Sequence, residues 1–198
     1  MKIYNDIVQG SEEWLKLRDL MLSGSKATAI ASNGAGLETL VDTLMTEHIT
    51  GVRKDLSRNK DIQRGNELEP IARDIYELET GSIVKEVGFI EHTKYSGVSP
   101  DGLIGDFGGW ECKCPNDLNY YKSLKGEKPK PAYIWQVQMC LLVTSREWWD
   151  LTFYNPNFPQ STITTRQFPD DKQQEKLKIG IASGTEMLIE AINNYKKL

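Results

Sequence analysis

Ser99-Pro100-Asp101-Gly102, followed by Glu111-Cys112-Lys113, constrains this chain more than any other stretch of it. Side chains alternate faces along a strand, so Glu111 and Lys113 project to one side of the second segment and Cys112 and Cys114 to the other. Pro100 and Gly102 mark a turn at Asp101, and Gly105, Gly108 and Gly109 suit a hairpin loop that folds the two segments together. Asp101 is therefore expected beside Glu111. Adjacent carboxylates repel and raise one another's pKa unless a divalent cation neutralises them, and oxygen ligands with room for water suit Mg²⁺ or Mn²⁺. Lys113 could orient or activate a water there, or stabilise charge growing on a phosphate. A solvated hairpin with a surface ion pair would use the same residue types, so the rest of the chain must decide.

Its 198 residues, with no long linker, repeat or low-complexity tract, suit a single domain spanning 1–198. No apolar run approaches the roughly 18 residues of a membrane span, and the first residues lack the apolar core of a signal peptide, which predicts a cytoplasmic protein with no membrane partner. The odd set Cys112, Cys114 and Cys140 makes a disulfide framework a poor expectation and buried apolar thiols a better one. A net charge of −4 argues against holding nucleic acid by bulk attraction. Any DNA contact must be local, and cations do cluster, in Arg53, Lys54, Arg58, Lys60 and Arg64 and again in Lys122, Lys125, Lys128 and Lys130. Solvated loops would account for both clusters equally well.

Hydrophobic spacing predicts a short helix over 9–18 behind the possible N-cap Ser11, and helices over 27–32, from about 37 to Gly51, and over 64–80 with Gly81 as stop. Leu68, Ile71, Ala72, Ile75 and Tyr76 are expected to face inward from the last of these. Alternation predicts a strand over 83–91, then strand pieces at 95–98, 103–104 and 110–114, a catalytic β-meander of about 82–115. A buried helix over 133–143, a strand through Trp149, Leu151 and Phe153, and a C-terminal helix of about 170–198 carrying Leu177, Ile181, Leu188, Ile192 and Tyr195 follow. The expected class is α/β, a central mixed sheet flanked by helices.

Two polar positions interrupt apolar faces. Glu69 lies on the flank of the core-facing stripe, where a carboxylate needs a partner; it is either half of a partly buried salt bridge or a third acid near the metals. Glu67, almost opposite, is the ordinary solvent-facing acid. Gln136 and Gln138 break the run 133–140 and need hydrogen-bond partners, as amides capping a neighbouring loop or as contacts to phosphate or metal-bound water; Gln136 aligns with Tyr133 and Cys140 and is the better candidate for the second role.

The pattern D-x9-E-x-K with a proline before the aspartate resembles the PD-(D/E)xK nuclease superfamily and implies its restriction-endonuclease-like fold. Five ordered blocks make the likeness narrower: Gln9-x4-Trp14-x3-Arg18 with Leu22-Ser23-Gly24-Ser25; Arg64-Gly65-x3-Glu69; Gly97-x-Ser99-Pro100-Asp101-Gly102-Leu103; Glu111-x-Lys113-Cys114-Pro115; and Tyr133-x2-Gln136-Val137-Gln138. In that order they resemble the lambda exonuclease, or YqaJ-type viral recombinase, family. Beyond about residue 155 the likeness fades.

The resemblance implies that Asp101, Glu111 and the Cys112 carbonyl bind Mg²⁺, that Glu69 contributes to a second ion, and that Lys113 assists the attacking water. It implies that Arg18, Ser25, Ser99 and Gln136 receive the 5′-phosphate of a DNA end. It further implies a 5′→3′ exonuclease on double-stranded DNA, a homotrimeric ring, a phage-encoded single-strand annealing partner and a bacterial host cell. A restriction-type endonuclease or a non-catalytic DNA-end-binding module would share parts of this pattern. Ile62, apolar in a basic loop, is expected either to wedge between the strands of an entering duplex or to pack on the helix that follows.

Overall fold

The stretch 83–91 divides between two sheets instead of forming one strand. In the computed structural model, which describes residues 1–53 and 60–197, it yields β3 (Val84–Lys85) and β4 (Phe89–Thr93), joined through Gly88. Gly88 lies against the main chain of Ile7, where any Cβ would collide with the Ile7 carbonyl, and its N–H bonds to Tyr4 O at 3.1 Å. That close approach redirects the chain.

The first sheet has the order β1 (Lys2–Tyr4), β4, β5 (Ser96–Val98), β2 (Leu22–Ser23). The second has the order β3, β6 (Gly102–Ile104), β7 (Gly108–Lys113), β8 (Trp148–Tyr154), β9 (Thr162–Gln167). Each is mixed: β2–β5 and β7–β8 run parallel and the other pairs antiparallel. The parallel β7–β8 pair needs a crossover, supplied by α5 (Asp117–Leu124) and α6 (Pro131–Thr144).

Before the second sheet come α1 (Glu12–Leu17), α2 (Ala27–Ser32), α3 (Ala35–Thr50) and α4 (Lys60–Thr80). Ser11 caps α1 by accepting from Trp14 N at 3.2 Å, and Gly51 ends α3 at φ 68°, as expected of a left-handed C-terminal stop. The last helix, α7 (Asp171–Tyr195), packs on α2 and α3. No helix among the described residues is long and apolar enough to cross a membrane.

Strand alternation sets the two cores. Trp149, Leu151 and Phe153 turn one face of β8 toward the main core, with Val137, Met139, Cys140 and Leu141 of α6. Trp110 and Cys112 turn the opposite face of β7 toward a smaller core with Ala72 and Tyr76 of α4 and Tyr154. Trp110 Nε1 bonds to Thr152 Oγ1 at 3.0 Å and Tyr76 OH to Asp150 Oδ2 at 2.7 Å, so these buried polar groups are partnered. Of the residues expected inward on α4, Ile71 is the exception, 47% exposed, because the β7 face is filled by Ala72 and Tyr76 and Ile71 is carried off it; Tyr195 is likewise exposed at the C-terminal end of α7.

Candidate active site

Glu111 and Lys113 leave β7 on the same face, and Lys113 Nζ donates to Glu111 Oε1 at 2.5 Å. Gln136, one turn beyond Tyr133 on α6, donates to the same oxygen through Nε2, also at 2.5 Å. Glu111 is 1% exposed, and its other oxygen, Oε2, is buried with no hydrogen-bond partner. Asp101 closes the hairpin as expected: its Oδ2 accepts from Cys112 N at 2.7 Å, pinning the turn to β7. Cys112 and Cys114 occupy the opposite face with their sulfurs 3.8 Å apart, and all three cysteines are free.

Glu69 joins this group from α4. Asn66, Glu69 and Asp101 line two adjoining clefts, one of about 340 Å³ shared with Ile62, Lys113 and Tyr133, the other of about 360 Å³ shared with Gln9 and Gly88. Glu67 is exposed, as its place on the wheel predicts. Pro70 within α4 lacks the N–H that would close a helical bond to the Asn66 carbonyl, which loosens the helix at the turn that presents Glu69.

Burial and mutual repulsion dominate the electrostatics. Burial, then Asp101 and Glu111, push the Glu69 carboxyl up to about 8. Burial, then Asp101, push Glu111 up to about 7 against the pull of Lys113. Burial also raises Asp101, opposed by Lys113 and the Cys112 N–H. Burial works against the Lys113 ammonium, yet Glu111 and Asp101 outweigh it and keep the lysine charged.

These three carboxyls, with a buried unpartnered oxygen among them, form a donor set that a hard divalent cation fits. Among the described residues no three His, Cys, Asp or Glu side chains already stand at ligand distance around one point, so main-chain carbonyls and water would complete any shell.

The residues expected to receive a terminal phosphate form a second, contiguous group. Arg18 NH2 donates to Ser23 Oγ at 3.1 Å, Ser23 Oγ lies 3.3 Å from Ser25 Oγ, and Ser25 is exposed. The Arg18 guanidinium stacks 4.0 Å from the Trp14 ring centroid, and Trp14 Nε1 donates to Ser99 Oγ at 2.8 Å. Ser99 stands two residues before Asp101, and a Cβ on Gly24 would come within 3.8 Å of Gln136 Cγ, so this group adjoins the carboxylates. Gln136 touches Glu111 as well as neighbouring Gly24. Gln138 takes the other expected role: it donates to Phe168 O at 2.8 Å and accepts from Asp170 N at 2.9 Å, capping the loop into α7.

Trp14, Ser23 and Gln9 belong to the first sequence block, but their roles emerge only in the fold. Trp14 and Arg18 are four apart on one helical face, which is the signal that pairs them. Gln9 donates to Val87 O at 3.0 Å and Pro100 O at 2.9 Å, tying the N-terminal segment to the Asp101 turn. Ile62, 37% exposed, lines the first cleft, and Lys122, Lys128 and Lys130 border an adjoining one. Lys54 and Arg58 lie outside the described residues.

The model of the YqaJ-like viral recombinase domain matches residues 13–147, which contain every one of these side chains except Gln9. The chain belongs to the YqaJ-like viral recombinase family. Solved structures agree with that membership. An alkaline exonuclease, LHK-Exo, from Laribacter hongkongensis is 34% identical, with a TM-score of 0.85 over 94% of this chain and 97% of that one. The same enzyme in complex with dAMP aligns at 35% identity and TM-score 0.85, over the same shares of the two chains. A phage related exonuclease from Haemophilus somnus 129PT, 17% identical with a TM-score of 0.74 over 91% and 98% of the two chains, shares the fold. No curated protein matches the chain. In this YqaJ-family member the matched region ends in the connection between α6 and β8, while β8, β9 and α7 complete the sheet and core around it.

Proposed function

We propose that this protein is a Mg²⁺-dependent exonuclease that degrades one strand of double-stranded DNA in the 5′→3′ direction from a phosphorylated end, releasing mononucleotides and leaving 3′ single-stranded DNA. The observation that carries this reading is the junction at Gln136. There a buried carboxylate–lysine cluster meets a group of arginine and serine donors suited to a terminal phosphate. The 34% identity to an alkaline exonuclease over nearly the whole chain supports the reaction class.

Asp101, Glu111 and the Cys112 carbonyl would hold one Mg²⁺, with Mn²⁺ able to substitute, and Glu69 would contribute to a second; the ions supply charge stabilisation at the phosphate under attack. Lys113, kept charged by Glu111 and Asp101, orients the attacking water and offsets the charge that grows on the phosphate oxygens. Gln136 holds Glu111 in one rotamer. Arg18, with a planar fork suited to phosphate, and Ser25 and Ser99, which add donors without excess charge, seat the 5′-phosphate and set the register of the scissile bond.

The family implies three further parts of this proposal: a homotrimeric ring around DNA, a phage-encoded single-strand annealing protein as partner in recombination, and a bacterial cytoplasm with phage or prophage origin. Native mass measurement tests the ring.

The deciding experiment digests a linear duplex labelled at either end, beside the same sequence as a covalently closed circle, with Mg²⁺ and with chelator. Labelled mononucleotide released first from 5′-phosphorylated ends, with the circle intact, is the expected result. Cutting of the circle would favour a restriction-type endonuclease. Metal-independent binding without release would favour a DNA-end-binding module.

A further inference from the structure

Arg18 stands beside a second arginine. The chain leaves α1 through a tight turn in which Met21 N bonds to Arg18 O at 3.3 Å and buried Leu20 sits at φ 56°. A left-handed conformation costs a non-glycine residue roughly 1–2 kcal/mol, so the surrounding packing must impose it. The turn fixes Asp19 next to Arg18. Asp19 Oδ2 is 2.6 Å from His48 Nδ1 at the end of α3, and Asp19 Oδ1 is 3.5 Å from Arg53 NH2 just beyond that helix.

Arg18 itself pairs with no carboxylate among the described residues; its contacts are the Ser23 hydroxyl and the Trp14 ring. Burial and then the like charge of Arg53 bring Arg18 down to about 10, with Glu47 pulling the other way. Arg53, held to Asp19 on the residue next to Arg18, is therefore a second guanidinium close enough for its charge to act on Arg18.

We infer that Arg53 is a second specificity-determining residue, which together with Arg18 brackets the terminal 5′-phosphate and is aimed at it by Asp19; this rests on the 5′-phosphate reading of the Arg18 pocket. The charge count favours it. A terminal phosphate monoester carries about −1.5 to −2 at pH 7, whereas a phosphodiester within the strand carries one charge. Once Arg53 leaves Asp19, which keeps its contact to His48, the two guanidinium groups offer two positive charges, and the second is fully used only by the monoester. At 3.5 Å the Asp19–Arg53 contact is looser than a charge-assisted bond of about 2.7–2.9 Å, and the Arg53 side chain remains 30% exposed, so the guanidinium can swing from the carboxylate to a phosphate.

The test measures binding of two blunt duplexes that differ only in a 5′-phosphate or 5′-hydroxyl, by fluorescence anisotropy in chelator, for the wild type and for Arg18→Ala, Arg53→Ala and Arg53→Lys. Arg53→Ala is expected to lose about tenfold of the preference for the phosphorylated end, the scale of one hydrogen bond to a charged group, while its affinity for the hydroxyl end stays near wild type. Arg53→Lys should keep part of the preference. Equal weakening on both ends, or an unchanged ratio in both Arg53 variants, overturns the inference. If Arg18→Ala abolishes the preference and the Arg53 variants do not alter it, the pocket stands and Arg53 falls. If no variant alters it, the pocket reading itself is wrong.

Discussion

Gln136 reaches Glu111 across 25 positions of sequence, with 2.5 Å between Nε2 and Oε1, on the oxygen that Lys113 also grips. Both donors hold one oxygen of the carboxylate and leave Oε2 unpartnered. Gln136→Ala is expected to lower the single-turnover rate by about 10–100-fold and to weaken Mg²⁺ activation, as loss of a ligand-orienting partner does. Gln136→Glu should be worse, since it sets a carboxylate against a carboxylate. Single-turnover digestion across a Mg²⁺ titration checks both. A change confined to the ratio of phosphorylated to hydroxyl ends would place Gln136 at the phosphate instead.

The raised carboxyls make stability depend on pH. Glu69 and Glu111 move from 4.5 in the ordinary carboxyl to about 8 and about 7 in the fold. The folded chain therefore keeps protons that the unfolded chain releases. The stability tied to these groups is complete below about pH 4.5 and is lost as pH rises through about 7 to 8. In chelator, Glu69→Gln should raise Tm at about pH 8.5 relative to wild type and flatten its pH dependence. Added Mg²⁺ should restore wild-type Tm at the same pH, with apparent affinity rising as these protons leave. Calorimetry at several pH values reads all three effects, and a Glu69→Gln curve parallel to wild type would contradict the assignment.

Gly97 belongs to the block that carries Ser99 and Asp101, and its surroundings explain why a glycine stands there. A Cβ would collide with the Phe89 ring and come within 2.6 Å of Ile90 O on the neighbouring strand. Gly97→Ala should cost about 1–3 kcal/mol by overpacking, or about 2–4 °C of Tm for each of them. Because β5 leads directly into Ser99 and Asp101, activity should fall with stability. Thermal unfolding and digestion of the same preparation check the pair.

Legibility followed the strength of the local pattern. The alternation of Glu111 and Lys113 against Cys112 and Cys114 is imposed by strand geometry and holds without regard to tertiary context. Asp101 beside Glu111 followed from turn residues in the same way. Edge strands were harder: β1 is three residues long, and β9 reads Thr-Ile-Thr-Thr-Arg-Gln, half exposed, with no apolar alternation to announce it. Helix α5 is short and polar, and its N-cap Asn116, which accepts from Asn119 N at 3.0 Å, is the one local signal. The division of 83–91 between sheets depends on Gly88 meeting Ile7, an approach that spacing along the chain does not encode. Trp14 as the plate under Arg18 was present in the motif but needed Ser99 in place to show what its indole N–H does.

The basic segments on either side of the site give the last prediction. Lys60 begins the helix that presents Glu69, while Lys122 and Lys125 lie on and at the end of α5, and Lys130 borders the cleft beside Lys113 and Tyr133. Lys125 and Lys130 rest 5.2 Å and 5.7 Å from the ring centroids of Tyr121 and Tyr133, which directs both ammonium groups without neutralising them. In a chain of net charge −4, attraction for DNA must come from local cations such as these. Replacing Lys60, Lys122, Lys125 and Lys130 with alanine should weaken duplex binding and shallow the slope of log Kd against log salt by about 0.9 for each phosphate that the protein no longer neutralises, because fewer counterions are released. Hydrolysis of an end already bound should change far less, since the donors that hold Glu111 are Lys113 and Gln136 and both remain. Affinity measured between low and moderate salt, beside single-turnover rates, separates the two effects. A slope unaltered in the fourfold variant would mean that these lysines face solvent and that the DNA path crosses the protein elsewhere.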